Sequence, residues 1–317
     1  MSLRTQGVVP SSLKPRRGRG IFGINRSALA KYRFCYLGLL PIFVIYWVVR
    51  LAPIGRTFVL SFYDWHLVRP LKSFVGLANY WDLLQDRDFL LALRNTTLFA
   101  IFVVGISVIL ALGLAVLLAG KLRLTGPYQV IYFLPVVTPM VPMAIAWKWI
   151  FDAQYGMLNY ALSWFGIRQI GWLTSPEVAM WAIIIMSIWK VLGYNMVLLL
   201  VGLKNIPALY YEAATIDGAG AWVVFRRITL PLLRPILVFV IVVATINAYN
   251  VFTQVYVMTQ GSQAAPGAPL RVLVFDIYEN GFRFFKMGYA SAEAVVLTVI
   301  ILGLTLIQLR VIRMDEG

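Results

Sequence analysis

Six runs of apolar residues decide what this chain can become. They cover about 34–62, 96–120, 128–151, 179–203, 235–258 and 291–311. About 20 apolar residues in a helix span the ~30 Å of bilayer hydrocarbon, and each run reaches that length. Within hydrocarbon every backbone N–H and C=O must find a partner inside the protein, which favours helices for segments of this length. The sequence therefore predicts an all-α, polytopic membrane protein with six transmembrane helices. Composition agrees, with 61% of the 317 residues hydrophobic and 13% charged, against about a quarter charged in soluble domains. The first run is interrupted by Arg50, Pro53 and Arg56, which suits a tilted helix with one end outside the hydrocarbon.

Lys and Arg set the orientation. The tail 1–33, the loops joining spans two to three and four to five, and the C-terminal end carry sixteen basic residues against four acids. The opposite loops carry eight of each. Both termini are thus predicted to be cytoplasmic, on a plasma membrane. The expected organisation is a basic N-terminal tail (1–33), a transmembrane domain (34–312) with a cytoplasmic loop at 204–234, and a short tail at 313–317. The net charge of +15 is dispersed, so it reads as a topology signal and contact with anionic lipid, not as nucleic-acid binding. The first 33 residues are polar and basic, so no cleavable signal peptide is expected.

Several chemistries are excluded by what the sequence lacks. Cys35 and His66 are the single cysteine and histidine, which rules out a disulfide framework and a Cys/His metal cluster. His66 has no partners for a hydrolytic triad and reads as an interfacial side chain. No G-x-x-x-x-G-K-[ST] loop occurs, so no nucleotide site is expected on this chain. The outer loops 63–95 and 152–178 carry Trp65, Trp81 and Trp172 and read as interfacial helices. The stretch 261–269, GSQAAPGAP, has the composition of a flexible loop.

One polar island interrupts the apolar chain, at KNIPALYYEAATIDGAGAWVVFRRITLP (204–231). It parses as two short helices joined by a turn. Pro207 suits a first helical turn, and Glu212 is placed in that turn or just after it, where a negative charge complements the dipole. Leu209, Ala213 and Ile216 fall at helical spacing and make an apolar face. Asp217-Gly218 marks the turn, since glycine tolerates positive φ. A second helix is predicted over 219–228, with Pro231 at the entry to the fifth span. By physics alone this is either a surface helix of a loop or a docking element.

The spacing Glu212-Ala213-Ala214, Gly218, then Ile228, Leu230 and Pro231 resembles the cytoplasmic signature of binding-protein-dependent ABC importer permeases. FVGLANY, FLPVVTP, WKWIFDAQYGMLNY and MGYASA resemble its carbohydrate-importer branch, on the side of the first permease of the glycerol-phosphate, lactose and maltose importers. The resemblance covers nearly all of 34–312. It implies a type I importer permease fold and a coupling role for Glu212, Ala213, Ala214, Asp217 and Gly218 toward an ATPase subunit. It also implies a second permease, two ATPase subunits holding ATP and Mg, and an extracytoplasmic solute-binding protein, with no cofactor on this chain. The competing class is a secondary transporter or channel, which needs intramembrane carboxylates or a filter. Glu293 is the one acid inside an apolar run.

Intramembrane polar residues usually face a cavity or another helix. Asn247, Asn250 and Gln254 are spaced to share a helical face, and amides suit sugar hydroxyls. Tyr249 and Tyr256 add aromatic surface. Ser187, Lys190 and Tyr194 share a face of the fourth span. Aligned on the signature loop, Ser187, Tyr194, Asn247 and Asn250 fall on solute-contacting positions of the family. Helix-to-helix amide bonding is the other reading, and it is preferred for Gln254. Lys190 either meets an acidic solute or bonds within the bundle, the second being preferred. Arg50 and Glu293 either pair or lie near the interface.

Overall fold

The computed structural model describes residues 26–68, 72–120, 125–259 and 270–313. The tail up to residue 25, Arg69, Lys121, Arg123, the 261–269 stretch and the last four residues lie outside the described residues. The chain divides into two compact units, Met1–Gly55 and Arg56–Gly317. In the first, α1 (Arg26–Tyr46) contains Pro41 and leads into a π-turn at Trp47–Leu51. Residues 35–50 are exposed throughout, Arg50 included. Helix α2 (Ala52–Leu60) follows, and the stretch Cys35–Leu60 is long and apolar enough to cross a membrane.

The second unit is a helical bundle. A small antiparallel pairing of β1 (Tyr63–Asp64) with β2 (Ser73–Phe74) precedes α3 (Ala78–Gln85) and α4 (Arg87–Ala119). Asp86 separates these helices and caps α4, its side chain accepting from the Asp88 N–H at 2.8 Å. Helix α4 therefore begins well before the apolar run at 96. After it come α5 (Thr125–Val137), α6 (Met140–Ile150), α7 (Met157–Ser163) and α8 (Pro176–Lys204). The loop around α7 is stapled by buried Asn159. Its Nδ2 donates to the carbonyls of Ala153 and Ile170, each at 2.9 Å, and its Oδ1 accepts from Trp172 Nε1 at 2.9 Å.

The third span differs from a straight 128–151 helix. It is broken into α5 and α6, which meet at 100°. FLPVVTPMVP explains the break. Pro135 removes an N–H from the last turn of α5, and Pro139 biases Thr138 toward extended backbone. Pro139 then sits at the N-cap of α6 with ψ 143°.

The fifth span also departs from expectation. Helix α9 (Ala208–Ile216) is followed by α10 (Ala221–Val224), a π-turn at Phe225–Thr229 and α11 (Leu230–Tyr249). Ala221–Tyr249 is one continuous 29-residue stretch, so there is no separate second short helix over 219–228. Pro231 does not break it because the widened turn immediately before absorbs the missing N–H and the ring's clash with the carbonyl four residues back. The same arrangement precedes Pro53, two residues after the Trp47–Leu51 turn. The far end stops at Tyr249, not 258. Asn250 turns its side chain back, Nδ2 donating to the Ile246 carbonyl at 2.7 Å, which competes with the helix ladder. Helix α12 (Thr253–Thr259) restarts after the break.

The chain ends with α13 (Leu273–Tyr278), a π-turn at Glu279–Arg283 and α14 (Met287–Arg313). Helices α4 and α8 make the most extensive contact, and α5 and α11 pack on α8. Fully buried Ala92, Ala111 and Ala115 on α4 and Ala179 and Ala182 on α8 let these two helices approach closely. Two apolar cores result. One joins Phe89, Phe99, Phe151, Ile183 and Phe275, and the other joins Val108, Leu118, Leu199, Leu203 and Leu233.

Candidate functional site

The 204–234 segment is built around the C-terminus of α9. The Ala219 N–H reaches back to the Ala214 carbonyl at 2.9 Å and the Gly218 N–H to that of Thr215 at 3.1 Å. This is a Schellman closure, which places Gly218 in the left-handed region at φ +68°. Leu209 and Ile216 are 71% and 86% exposed, and Ala213 is exposed with them. An apolar stripe on a short polar loop is thus presented outward, while Ala214 is buried beneath it. Glu212 lies one turn further in than the first turn of α9, because the helix starts at Ala208. Tyr211 faces inward, its hydroxyl 3.2 Å from that of Thr229. Asp217 ends the helix as its C-cap.

A second feature is a cavity of about 460 Å³ inside the second unit. It lies between the two helix breaks. Val136 and Met140 come from the bend of the third span, and Asn250 to Thr253 from the break after α11. Irregular backbone at membrane depth is tolerated where it lines a cavity. Ser187, Tyr194, Asn247, Asn250 and Gln254 all line it. The last three do not share one continuous helical face, since the helix ends at Tyr249, yet the break still brings them together. Ser187 is 3% exposed, and its Oγ has no partner among the described residues. Asn195 also lines the cavity and donates to Ser107 Oγ at 3.2 Å. The sequence reading missed it, although an amide within an apolar run was the available signal. Tyr249 points elsewhere: it is buried and its hydroxyl donates to Thr97 at 3.2 Å. Tyr256 belongs to an aromatic cluster with Phe252, Phe275 and Tyr278.

Among the described residues, Lys190 is the one charged side chain in the lining. Its ammonium donates to the carbonyl of Pro135, to that of Val136 at 3.3 Å and to that of Thr138 at 2.5 Å. These are the acceptors left open where α5 stops. Thr138 completes the set by donating its hydroxyl to the Leu134 carbonyl at 3.1 Å. Nearby Gly193 allows the crossing of α5 over α8, for a Cβ there would stand 1.9 Å from the Tyr132 carbonyl oxygen.

A third cluster lies where α13 meets the start of α14. Arg271, 2% exposed, forms ion pairs with Asp276 and, at 2.6 Å, with Glu279. Arg283 adds a 2.5 Å pair to Glu279. Glu293 is fully buried and accepts from Asn280 at 2.9 Å, whose amide also donates to Asp276 at 3.3 Å. Asp276 Oδ2 and Glu293 Oε2 are buried without a hydrogen-bond partner among the described residues. Burial pushes the Asp276 carboxyl above its ordinary value, against the opposing pull of Arg271. Glu293 thus has its place within the second unit, and sequence reasoning had no signal for it because its partners lie in a separate loop.

A mainly helical membrane bundle with a polar-lined cavity between broken spans, and an apolar helix presented on one loop, is the architecture of a membrane permease. The chain belongs to the binding-protein-dependent transport system inner membrane components, whose pattern matches residues 107–313. It is similar to the trehalose/maltose transport system permease protein MalF of Thermococcus litoralis, 34% identical over 292 residues, which cover 91% of this chain and 98% of the relative. The lactose transport system permease protein LacF of Rhizobium radiobacter is 35% identical over 290 residues, 90% of this chain and 96% of the relative. The sulfoquinovosyl glycerol transport system permease protein SmoG of Agrobacterium fabrum is 33% identical over 279 residues, 88% of this chain and 90% of the relative. Among solved structures, a chain of a bacterial ABC transporter that imports the acidic polysaccharide alginate shares the fold with a TM-score of 0.74. That match is 21% identical in sequence and covers 92% of this chain and 99% of that one.

Proposed function

We propose that this permease carries a sugar, oligosaccharide or polyol across the membrane as one half of an ATP-driven importer. Its partners are a second permease, two ATPase subunits and an extracytoplasmic solute-binding protein. ATP and Mg sit on the ATPase subunits, and this chain does no chemistry of its own. Both termini and the 204–234 loop face the cytoplasm in this reading, consistent with the basic excess on that side. Helix α9 is then the docking element, with Glu212, Ala213, Ala214, Asp217 and Gly218 around the contact. Closure of the ATPases moves α9, and α9 moves the fifth span.

The observation that carries the solute assignment is the cavity. Hydroxyl, phenol and amide groups from Ser187, Tyr194, Asn247, Asn250 and Gln254 converge on one volume of about 460 Å³, and such groups match the donors and acceptors of a carbohydrate. Relatives named for trehalose/maltose and lactose transport point the same way. A gradient-driven carrier would need a carboxylate on the path, and among the described lining residues there is none. The test is uptake by the complete importer in proteoliposomes. ATP-dependent uptake of a neutral oligosaccharide that requires the binding protein, and that drops at least tenfold in Asn247→Ala with Asn250→Ala, supports the reading. Uptake driven by an ion gradient without ATPase subunits overturns it.

A further inference from the structure

We propose that Lys190 is a positioning residue that holds the bend of the third span, and that it is thereby withdrawn from the solute, leaving the cavity to recognise an uncharged saccharide through neutral groups. This rests on the cavity being the solute path.

Position alone suggests the opposite. A lysine in a membrane cavity invites an anionic solute, and two similar proteins are named for alginate import and sulfoquinovosyl glycerol transport. The geometry here points away from that role. An ammonium has three N–H donors, and three carbonyls, those of Pro135, Val136 and Thr138, receive them. The carbonyls exist as open acceptors because the chain bends by 100° between Val137 and Met140. No N–H of a following turn is available to them, and hydrocarbon supplies no water. A cation at a helix C-terminus also meets the negative end of the dipole. The charge therefore answers a need created by the backbone.

The placement of Lys190 on α8 fits the same role. Gly193 lies one turn along on the same face, and there α5 approaches so closely that no Cβ fits. Glycine brings the bend to α8, and lysine holds it there. Two bend residues, Val136 and Met140, line the cavity together with Asn247 and Asn250. The bend is thus part of the cavity wall. With Lys190 engaged, the other lining side chains among the described residues are uncharged. A carboxylate or sulfonate would enter without a counter-ion, which is costly in a low-dielectric site.

The experiment has two arms. In the first, the full chain in lipid nanodiscs carries Cys35→Ser and spin labels at Val130→Cys and Ile145→Cys, on either side of the bend. The distance distribution is read in the parent and in Lys190→Met and Lys190→Gln. A narrow parent distribution that broadens strongly in the methionine variant, and less in glutamine, which keeps two N–H donors, supports the proposal. An unchanged distribution in both variants overturns it, and glutamine alone decides should methionine prevent insertion. In the second arm the complete importer is given a neutral and a uronate-containing oligosaccharide. The proposal expects uptake of the neutral one, slowed at least fivefold in the variants mainly through kcat. Uptake of the uronate that is lost in Lys190→Gln through KM overturns it. If Asn247 and Asn250 variants also leave uptake of both unchanged, the cavity itself is not the path, while the first arm still judges the bend.

Discussion

Tyr211 of α9 and Thr229 at the start of the fifth helical span join their hydroxyls at 3.2 Å. Little else is needed to make two elements move together, because the short loop between them is already closed by the Ala219–Ala214 and Gly218–Thr215 backbone bonds. The helix that is presented outward and the helix that walls the cavity with Asn247 are thus tied at one point. A neutral hydrogen bond of this kind is worth about 0.5–1.5 kcal/mol. Tyr211→Phe should leave insertion and ATPase binding intact and lower solute imported per ATP about two- to tenfold. Thr229→Val should do the same, and the double variant should add little to either. Proteoliposome uptake measured beside ATP hydrolysis checks this.

Gly218 closes α9 at φ +68°, and a Cβ at that position would meet nothing within 4 Å. Any penalty of substitution is therefore conformational rather than steric. Placing a residue with a Cβ in the left-handed region costs about 1–2 kcal/mol, less for asparagine. Coupling should fall in the order Gly, Asn, Ala, Val, with Gly218→Ala losing about fivefold or more. Binding of the ATPase subunit, followed by affinity capture of the assembled importer, reports the same order. Equal coupling in all four would remove the helix closure from the mechanism.

Some of this was legible in the sequence and some was not. Hydrophobic run length revealed the fold class, since nothing else satisfies so much apolar backbone. The Asp217-Gly218 pair marked the end of α9 for a local reason, the φ that only glycine adopts freely. The 100° bend of the third span was less legible. Pro135 and Pro139 were visible, but prolines in membrane helices are often absorbed, as Pro231 and Pro53 are by the π-turns ahead of them. What decides is whether a partner such as Lys190 takes the freed carbonyls, and that partner lies 52 to 55 residues away on another helix. The break at Asn250 was hidden for a related reason: asparagine continues or ends a helix according to where its side chain bonds. Glu293 joins Asp276 and Asn280 only through tertiary packing, so its surroundings had no sequence signal at all.

The Arg271 cluster should respond to both mutation and pH. Arg271→Met leaves buried Asp276 without its guanidinium and Glu279 with Arg283 as its remaining ion-pair partner, and removing one partner of a buried pair costs about 3–5 kcal/mol. Thermal unfolding in detergent should fall by several degrees or the 270–286 segment should become protease-sensitive. The pH effect has a defined sign. Burial raises the Asp276 carboxyl above 3.8, its ordinary value, so its contribution to stability is complete below that value. It is lost as pH rises through the folded value. The protection of residues 273–283 against hydrogen exchange, relative to the intrinsic amide rate, should therefore fall as the solution goes from acidic toward neutral and above. Arg271, Glu293 and Asp86 act on the group, and Arg271 is itself paired with Glu279, so the transition belongs to the cluster. Asp276→Asn should flatten it, and an equally steep profile in that variant would assign the titration elsewhere.

Gly193 offers the sharpest steric test of the bundle. An added Cβ would lie 1.9 Å from the Tyr132 carbonyl oxygen and 2.7 Å from its carbon. That neighbour is backbone, so it cannot rotate aside as a side chain would. Overpacking of this kind usually costs about 1–3 kcal/mol, and here α5 would have to move away from α8. Displacing α5 also pulls its carbonyls from Lys190, so the loss should exceed the simple steric figure. Gly193→Ala should lower the melting temperature in detergent by several degrees and widen the spin-label distances across the bend. Gly220→Ala, where a Cβ meets nothing within 4 Å, serves as the control and should melt as the parent does. If Gly193→Ala and Gly220→Ala melt alike, the close crossing of α5 and α8 is not a determinant of stability.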